Sequence, residues 1–362
     1  MTVSEPSETV TSSERAALDQ LYTDFAAANL APLWTQREGL MPNVPQPDAC
    51  PGVWRWSVLY ELAARSGELV PVGRGGERRA IALANPGLPG TAYATPTLWA
   101  AIQYLGPGEE APSHRHSQSA FRFVIEGEGV WTNVDGDPVA MRRGDLLLTP
   151  GMRWHEHHNT TDKPMAWIDG LDIPFVRQLD AGFFEFGSET LSTRDTPSRA
   201  RNERLWGHAG LLPVGAPTTK ASPLMAYRWE STDAALTAQL ELEDEGFPGV
   251  VEPGHAVVRY TNPATGGDAL TTIRTEMHRL AAGCRTASIR VAGSAVWQVF
   301  AGGGEIELEG ELHTLKTGDL FVVPSWAELS LATETGLDAF RFSDDPVFEH
   351  LGLDRVNRKE EA

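Results

Sequence analysis

Residues 108–159 read GEEAPSHRHSQSAFRFVIEGEGVWTNVDG and then DPVAMRRGDLLLTPGMRWHEHHN, and they hold five of the ten histidines of the 362-residue chain. Short runs rich in apolar residues are separated by EGEG, DGDP and RRGD, each a turn-forming sequence. Such spacing predicts short antiparallel strands closed into one small barrel of the jelly-roll type. His114 and His116 stand two residues apart, so on a strand they face the same side. In His155-Glu156-His157-His158 the same alternation puts His155 and His157 on one face, and Glu156 and His158 on the other.

The stretch has a second copy. With Gly283 laid on Gly108, CRTASIRVAGSAVWQVFAGGGE (284–305) runs without gaps beneath EEAPSHRHSQSAFRFVIEGEGV (109–130). Ser113 meets Ser288, Ser119-Ala120 meets Ser294-Ala295, and Gly127 and Gly129 meet Gly302 and Gly304. Further on, Gly144-Asp145-Leu146 meets Gly318-Asp319-Leu320, and Pro150 meets Pro324. An internal repeat of this length means one fold built twice.

The two copies differ where chemistry would be. His114 meets Ile289, His116 meets Val291, and His155 meets Leu329. A lone barrel histidine is more often an ordinary hydrogen-bonded residue than a ligand. Three replaced together by aliphatic residues read as one metal site, present once and filled in once. His155 is then the third ligand, and His157, on the same face, is an acid–base or substrate-orienting group. His158 is expected at the surface or behind the ligands. Arg122 meets Trp297, so its charge also belongs only to the first copy. A buried arginine needs a partner, either an anionic substrate or a structural carboxylate.

Composition excludes several classes. The net charge of −19, with no Lys/Arg cluster, argues against nucleic acid as a partner. No apolar run approaches the roughly 18 residues of a membrane span, and the polar opening MTVSEPSETVTSSER does not read as a secretory signal. Cys50 and Cys284, the only cysteines, form no ligand motif and suit a reducing cytoplasm.

Five segments are expected. Residues 1–85 form an arm with short helices, the first capped by Thr11 and Glu14. Residues 86–185 form the metal-binding barrel, and 186–226, rich in Ser, Thr, Arg and Pro, the linker. Residues 227–345 form a second barrel without a metal site, and 346–362 a polar tail. In the strand TLWAAIQYL (97–105), Trp99, Ala101 and Gln103 share one face.

At this point the chain resembles the gentisate 1,2-dioxygenase family, bicupins that include salicylate and 1-hydroxy-2-naphthoate dioxygenases. The likeness rests on PSHRHSQSAFRFVIEGEG, PGMRWHEHHN, LVPVGRGGERRAIAL and LWAAIQYL, and runs from LAPLW (30–34) to the second barrel. It implies a mainly β bicupin with an N-terminal helical arm, located in the cytoplasm and assembled as a homotetramer. It implies one iron(II) per chain on His114, His116 and His155. It also implies substrate contacts at Arg78 or Arg79, Trp99, Ala101, Gln103, Arg122, His157 and Asp169, the last three with catalytic roles. Many cupins supply a glutamate soon after the second histidine; here that region is SQSAF, without an acid.

Three protein ligands leave three positions of an octahedral ion open, enough for a 2-hydroxybenzoate and dioxygen together. Dioxygen reacts slowly with a closed-shell ring, so a redox-active metal is needed, which d¹⁰ zinc is not. The expected reaction cleaves the ring of gentisate between its carboxylate-bearing and hydroxyl-bearing carbons, giving maleylpyruvate. Gln103 or Asp169 would meet the 5-hydroxyl, and Ala101 would narrow the pocket. Two readings compete: the same reaction on salicylate or 1-hydroxy-2-naphthoate, and a metallo-cupin that binds an aromatic acid without turnover. A sugar isomerase leaves the resemblance unexplained.

Overall fold

The computed structural model describes residues 11–36, 40–72, 79–187, 199–217 and 219–358. Arg74 and Arg78 lie outside them. Residues 1–46 and 47–362 are two separate units. The first carries helix α1 (Ser12–Ala27), opened by the expected capping box. The Thr11 hydroxyl accepts from Glu14 N–H at 3.3 Å, and the Glu14 carboxylate accepts from Thr11 N–H at 2.8 Å. The helix buries none of its residues. Within this unit Trp34 sets its ring edge-on to Phe25 and donates its Nε1–H to the Tyr22 hydroxyl.

The second unit opens with β1 (Gly52–Trp54), α2 (Trp56–Leu69) and β2 (Ala80–Ala82). Then come β3 (Trp99–Leu105), β4 (Glu110–His116), β5 (Ala120–Glu126), β6 (Glu128–Val134) and β7 (Asp137–Arg142). β8 (Leu146–Thr149), β9 (His155–Asn159), β10 (Met165–Leu171), α3 (Ile173–Gln178) and β11 (Phe184–Phe186) follow. They make two facing sheets, ordered β2-β3-β10-β5-β8 and β11-β4-β9-β6-β7, which is the predicted barrel.

After α4 (Arg201–Trp206), β12 (Ala226–Tyr227) and α5 (Trp229–Asp244), the plan repeats in β13 (His255–Arg259), β14 (Arg274–Leu280) and β15 (Ile289–Val291). It continues with β16 (Ala295–Leu308), β17 (Glu311–Lys316), β18 (Leu320–Val323), β19 (Glu328–Ala332) and β20 (Leu337–Ser343). α6 (Asp345–Leu351) and β21 (Val356–Arg358) close the chain. Here β16 is one long strand serving both sheets, where the first barrel has β5 and β6.

The two barrels exchange their leading segments. β1, ahead of the first barrel, pairs with β18 of the second. β12, ahead of the second barrel and at the end of the expected linker, pairs with β8 of the first. Each crossing chain then enters a helix whose first N–H groups need an acceptor. Asp319 accepts from Trp56 N–H at 2.9 Å and from Arg55 Nη1 at 2.7 Å. Asp145, its repeat equivalent, accepts from Trp229 N–H at 3.0 Å and from Arg228 Nη1 at 2.6 Å. The carboxylates also sit favourably at the positive ends of the helix dipoles.

The glycine before each aspartate is required twice over. Gly144 has φ +86° and Gly318 φ +94°, which L side chains rarely adopt. A Cβ there would lie 2.8 Å from Trp229 Cγ or 2.3 Å from Trp56 Cγ. Between the barrels runs one shared apolar core. Phe123 stacks on Phe340 at 4.0 Å, and Phe121 meets Phe342 at 4.8 Å, all four fully buried. Each such side chain contributes about 1.5–3 kcal/mol.

Gly318→Ala is expected to cost about 2 kcal/mol or more through backbone strain and the indole clash. Thermal or urea unfolding measures this; an unchanged midpoint would mean that the turn and Trp56 relax without cost.

Candidate metal centre

Three imidazoles meet inside the first barrel. His114 and His116 share a face of β4, and His155 stands opposite His114 in the β4–β9 pairing. His155 thus comes from the strand hydrogen-bonded to β4. Ring centroids lie 4.2 Å apart for His114 and His155, 5.0 Å for His116 and His155, and 5.9 Å for His114 and His116. One ring nitrogen from each falls within 4.8 Å of the other two. It is the one such three-residue group among the described residues.

Backbone carbonyls select which nitrogen faces inward. The Nδ1 of His114 is 2.8 Å from Pro112 O, that of His116 2.8 Å from Gln118 O, and that of His155 3.0 Å from Arg153 O. A carbonyl only accepts, so each Nδ1 carries the hydrogen and each Nε2 keeps its lone pair. His155 Nε2 is buried with no hydrogen-bond partner among the described residues. Burial, and then the charges of His114, Arg122, His116 and His157, hold His155 well below the usual imidazole range. A neutral imidazole with its lone pair inward and its other nitrogen anchored is the form a divalent metal takes. The residues present therefore fit a metal ion with three protein nitrogens and open positions.

His157 faces the same interior from β9 and is 1% exposed. Its Nδ1 lies 2.8 Å from the Thr132 hydroxyl, which donates its only hydrogen to Met141 Sδ at 3.2 Å. Thioether sulfur cannot donate, so Thr132 accepts from His157 Nδ1–H. His157 Nε2 is thus left as an acceptor. Burial, followed by the charge of Arg122, keeps this ring well below its usual range.

A cavity of about 350 Å³ opens over these groups, lined by His114, His116, His157, Trp99, Gln103, Arg122 and Asp169. Ala80, Ala120, Leu171 and Ile173 complete the wall. These four escaped the sequence reading, although Leu171 continues the alternation from Asp169. A hollow of about 280 Å³ shares His116, Leu171 and Ile173 and extends past Phe183 and Phe184. A larger cleft of about 620 Å³, at Trp206, Tyr227 and Tyr260, lies away from the histidines. Its buried Glu203 is already committed to Arg228.

Arg122 and Asp169 face each other in the β5–β10 register, with Nε 3.4 Å from Oδ1. Arg122 Nη1 donates to the Thr149 hydroxyl at 2.5 Å, and Trp167 Nε1–H donates to Asp169 at 3.1 Å. Burial raises the Asp169 carboxyl to about 6, against the opposing pull of Arg122 and Trp167. The guanidinium stays charged. Arg122 thus has a carboxylate partner and still borders the cavity.

The remaining expected contacts divide. Trp99 and Gln103 border the cavity, while Ala101 between them is 1% exposed and is not part of the lining. Arg79 is turned elsewhere. It donates to the Glu109 carboxylate, to Val70 O at 3.0 Å and to Tyr104 O at 3.0 Å, so its charge is spent on the barrel's outer wall. The expectation for Arg78 falls outside the described residues. His158 is not a surface residue: it is 4% exposed, stacks on Trp131, and lies 3.0 Å from Glu156 and 3.2 Å from Glu110.

A doubled barrel with inward histidines on paired strands defines a cupin metalloprotein, and residues 101–173 match the Cupin domain family. The chain is 68% identical to a gentisate 1,2-dioxygenase of Streptomyces sp over 96% of its length and 97% of that protein's. It is 34% identical to a 1-hydroxy-2-naphthoate dioxygenase of Nocardioides sp. over 94% and 87%. The solved structure of salicylate 1,2-dioxygenase from Pseudoaminobacter salicylatoxidans with gentisate is 59% identical. It superposes with a TM-score of 0.93, covering 98% of this chain and 96% of that one. The chain belongs to the gentisate 1,2-dioxygenase family of ring-cleaving dioxygenases.

Because His155 and His157 are held low, the folded chain refuses protons that the unfolded chain accepts near pH 6.5. Their stability contribution is present above that pH and lost as pH falls below it. His157→Gln is expected to shrink this acid-side loss in the metal-free protein, compared by urea unfolding at about pH 7.5 and about pH 5.5. An unaltered loss would argue against a neutral buried His157.

Proposed function

We propose that this protein is an iron(II)-dependent dioxygenase that opens the ring of gentisate, with one metal ion per chain. The observation that carries the reading is three inward Nε2 lone pairs in a cavity that Arg122 also borders. The 68% identical gentisate dioxygenase supports the substrate. His114, His116 and His155 would hold the ion, which when bound relays electrons between the ring and dioxygen.

The chain's own groups have separate tasks. Arg122, with no hydrogen bond engaging its Nη2 among the described residues, attracts the substrate carboxylate. Asp169 balances that charge, so the pocket favours one carboxylate rather than any anion. His157 offers an acceptor Nε2 because Thr132 takes its Nδ1–H, which suits it to receive the proton of the 2-hydroxyl. The Gln103 side chain, which makes no hydrogen bond among the described residues, borders the cavity and can meet a 5-hydroxyl. Trp99 covers the ring, and Leu171 and Ile173 keep water out. The reaction breaks the ring bond between the carboxylate-bearing and hydroxyl-bearing carbons, and both oxygen atoms enter the product, maleylpyruvate.

The Streptomyces relative favours gentisate over salicylate or 1-hydroxy-2-naphthoate. The reading extends to a homotetramer in the cytoplasm, supported by two free cysteines and by the exposed Leu30, Leu33 and Trp34 of the N-terminal unit. Light scattering tests the assembly.

Oxygen uptake after anaerobic iron(II) loading is expected to be fastest with gentisate when the three acids are compared in parallel. Uptake with salicylate and none with gentisate would overturn the substrate. Metal analysis should return one ion per chain, lost in His114→Ala. His157→Ala should keep the ion and lower kcat by about 10²–10⁴-fold, the range for a positioned acid–base group; normal turnover would remove His157 from the chemistry.

A further inference from the structure

The second barrel has aliphatic residues where the first has ligands, yet it reaches to within one peptide plane of a ligand's anchor. Asp172, 3% exposed, follows β10. Its Oδ1 accepts from Ser119 N–H at 3.0 Å, and its Oδ2 accepts from the hydroxyl of Thr272, in the second barrel, at 2.5 Å. Ser119 N–H and Gln118 C=O belong to the same planar peptide group, so holding one fixes the direction of the other. Gln118 O is the atom that accepts from His116 Nδ1 at 2.8 Å.

We propose that Thr272 is a positioning residue for the metal centre, acting through Asp172 and the Gln118–Ser119 peptide on His116. This rests on the assignment of His116 as a ligand. Without the Thr272 hydroxyl, one oxygen of a buried carboxylate loses its donor. The carboxylate must then turn toward another donor or admit water, and Ser119 N–H loses a fixed partner. The peptide plane tilts, and His116 loses the carbonyl that aims its Nε2.

The repeat supplies an internal control. Asp344 accepts from Ser294 N–H at 2.7 Å and from the hydroxyl of Thr97, in the first barrel, so the same clasp is made in the opposite direction. There, the residue in the place of His116 is Val291, and no ligand depends on the peptide. Both clasps join the barrels, but only the one through Thr272 ends at the metal centre.

The test compares T272V with T97V in the full-length, metal-free chain, titrated with cobalt(II) and followed by its visible absorption. Both variants should lose similar thermal stability. T272V should bind cobalt about tenfold more weakly, the low end for loss of an outer partner of a ligand. T97V should bind it like the wild type, and T272S should recover the affinity. Equal affinity in T272V and T97V, or no recovery in T272S, would overturn the proposal. If the valine variants do not fold, T272A and T97A give the same comparison. H116A separates the two levels: unchanged cobalt affinity there would sink the ligand assignment itself, whereas loss in H116A with none in T272V would sink only the positioning role.

Discussion

Two aspartates hold this molecule in register. Asp145 and Asp319 each sit at the turn of one barrel and accept the first free N–H of a helix delivered from the other half of the chain. Each is also paired with the arginine just before that helix. A buried carboxylate needs donors, and a helix N-terminus has donors to spare. Satisfying both at one point, twice, locks each barrel onto the other's leading segment. The shared core, with Phe121 and Phe123 of the first barrel against Phe340 and Phe342 of the second, lies between the two docked barrels.

Against this rigid frame the first barrel keeps an interior that is costly to bury. Three histidines, a fourth beside them, an arginine and an aspartate all face inward. Each has at least one fixed partner. Carbonyls hold the Nδ1 atoms of His114, His116 and His155, Thr132 holds that of His157, and Asp169 balances Arg122. So anchored, His114, His116 and His155 converge, and His157, Arg122 and Asp169 line the cavity over them. The second barrel has Ile289, Val291, Leu329 and Trp297 at the same positions.

Much of this was legible in the residues. The repeat, the strand alternation and the joint loss of three histidines pointed to two barrels and one metal centre before any coordinate. Alternation correctly split His155 and His157 from Glu156 and His158. The resemblance offered Arg78 or Arg79 as a substrate contact, and nothing local to a Gly-rich arginine segment says which carboxylate the Arg79 side chain will find. Glu109 is 30 residues away. Alternation left His158 either at the surface or behind the ligands, because burial depends on what covers a face, and here Trp131 does.

The sequence by itself determined the doubled fold, the choice of which copy carries the histidines, and which three of them form the candidate metal centre. These depend on side-chain period and on residue type, both of which are local. Only the tertiary structure decided that the halves exchange strands and helices, that β4 and β9 bring the three histidines together as neighbours, and that Thr132 meets His157 Nδ1. Those outcomes depend on which distant donor meets which buried acceptor. That pairing is settled only when the chain is folded and water is no longer there to satisfy either group.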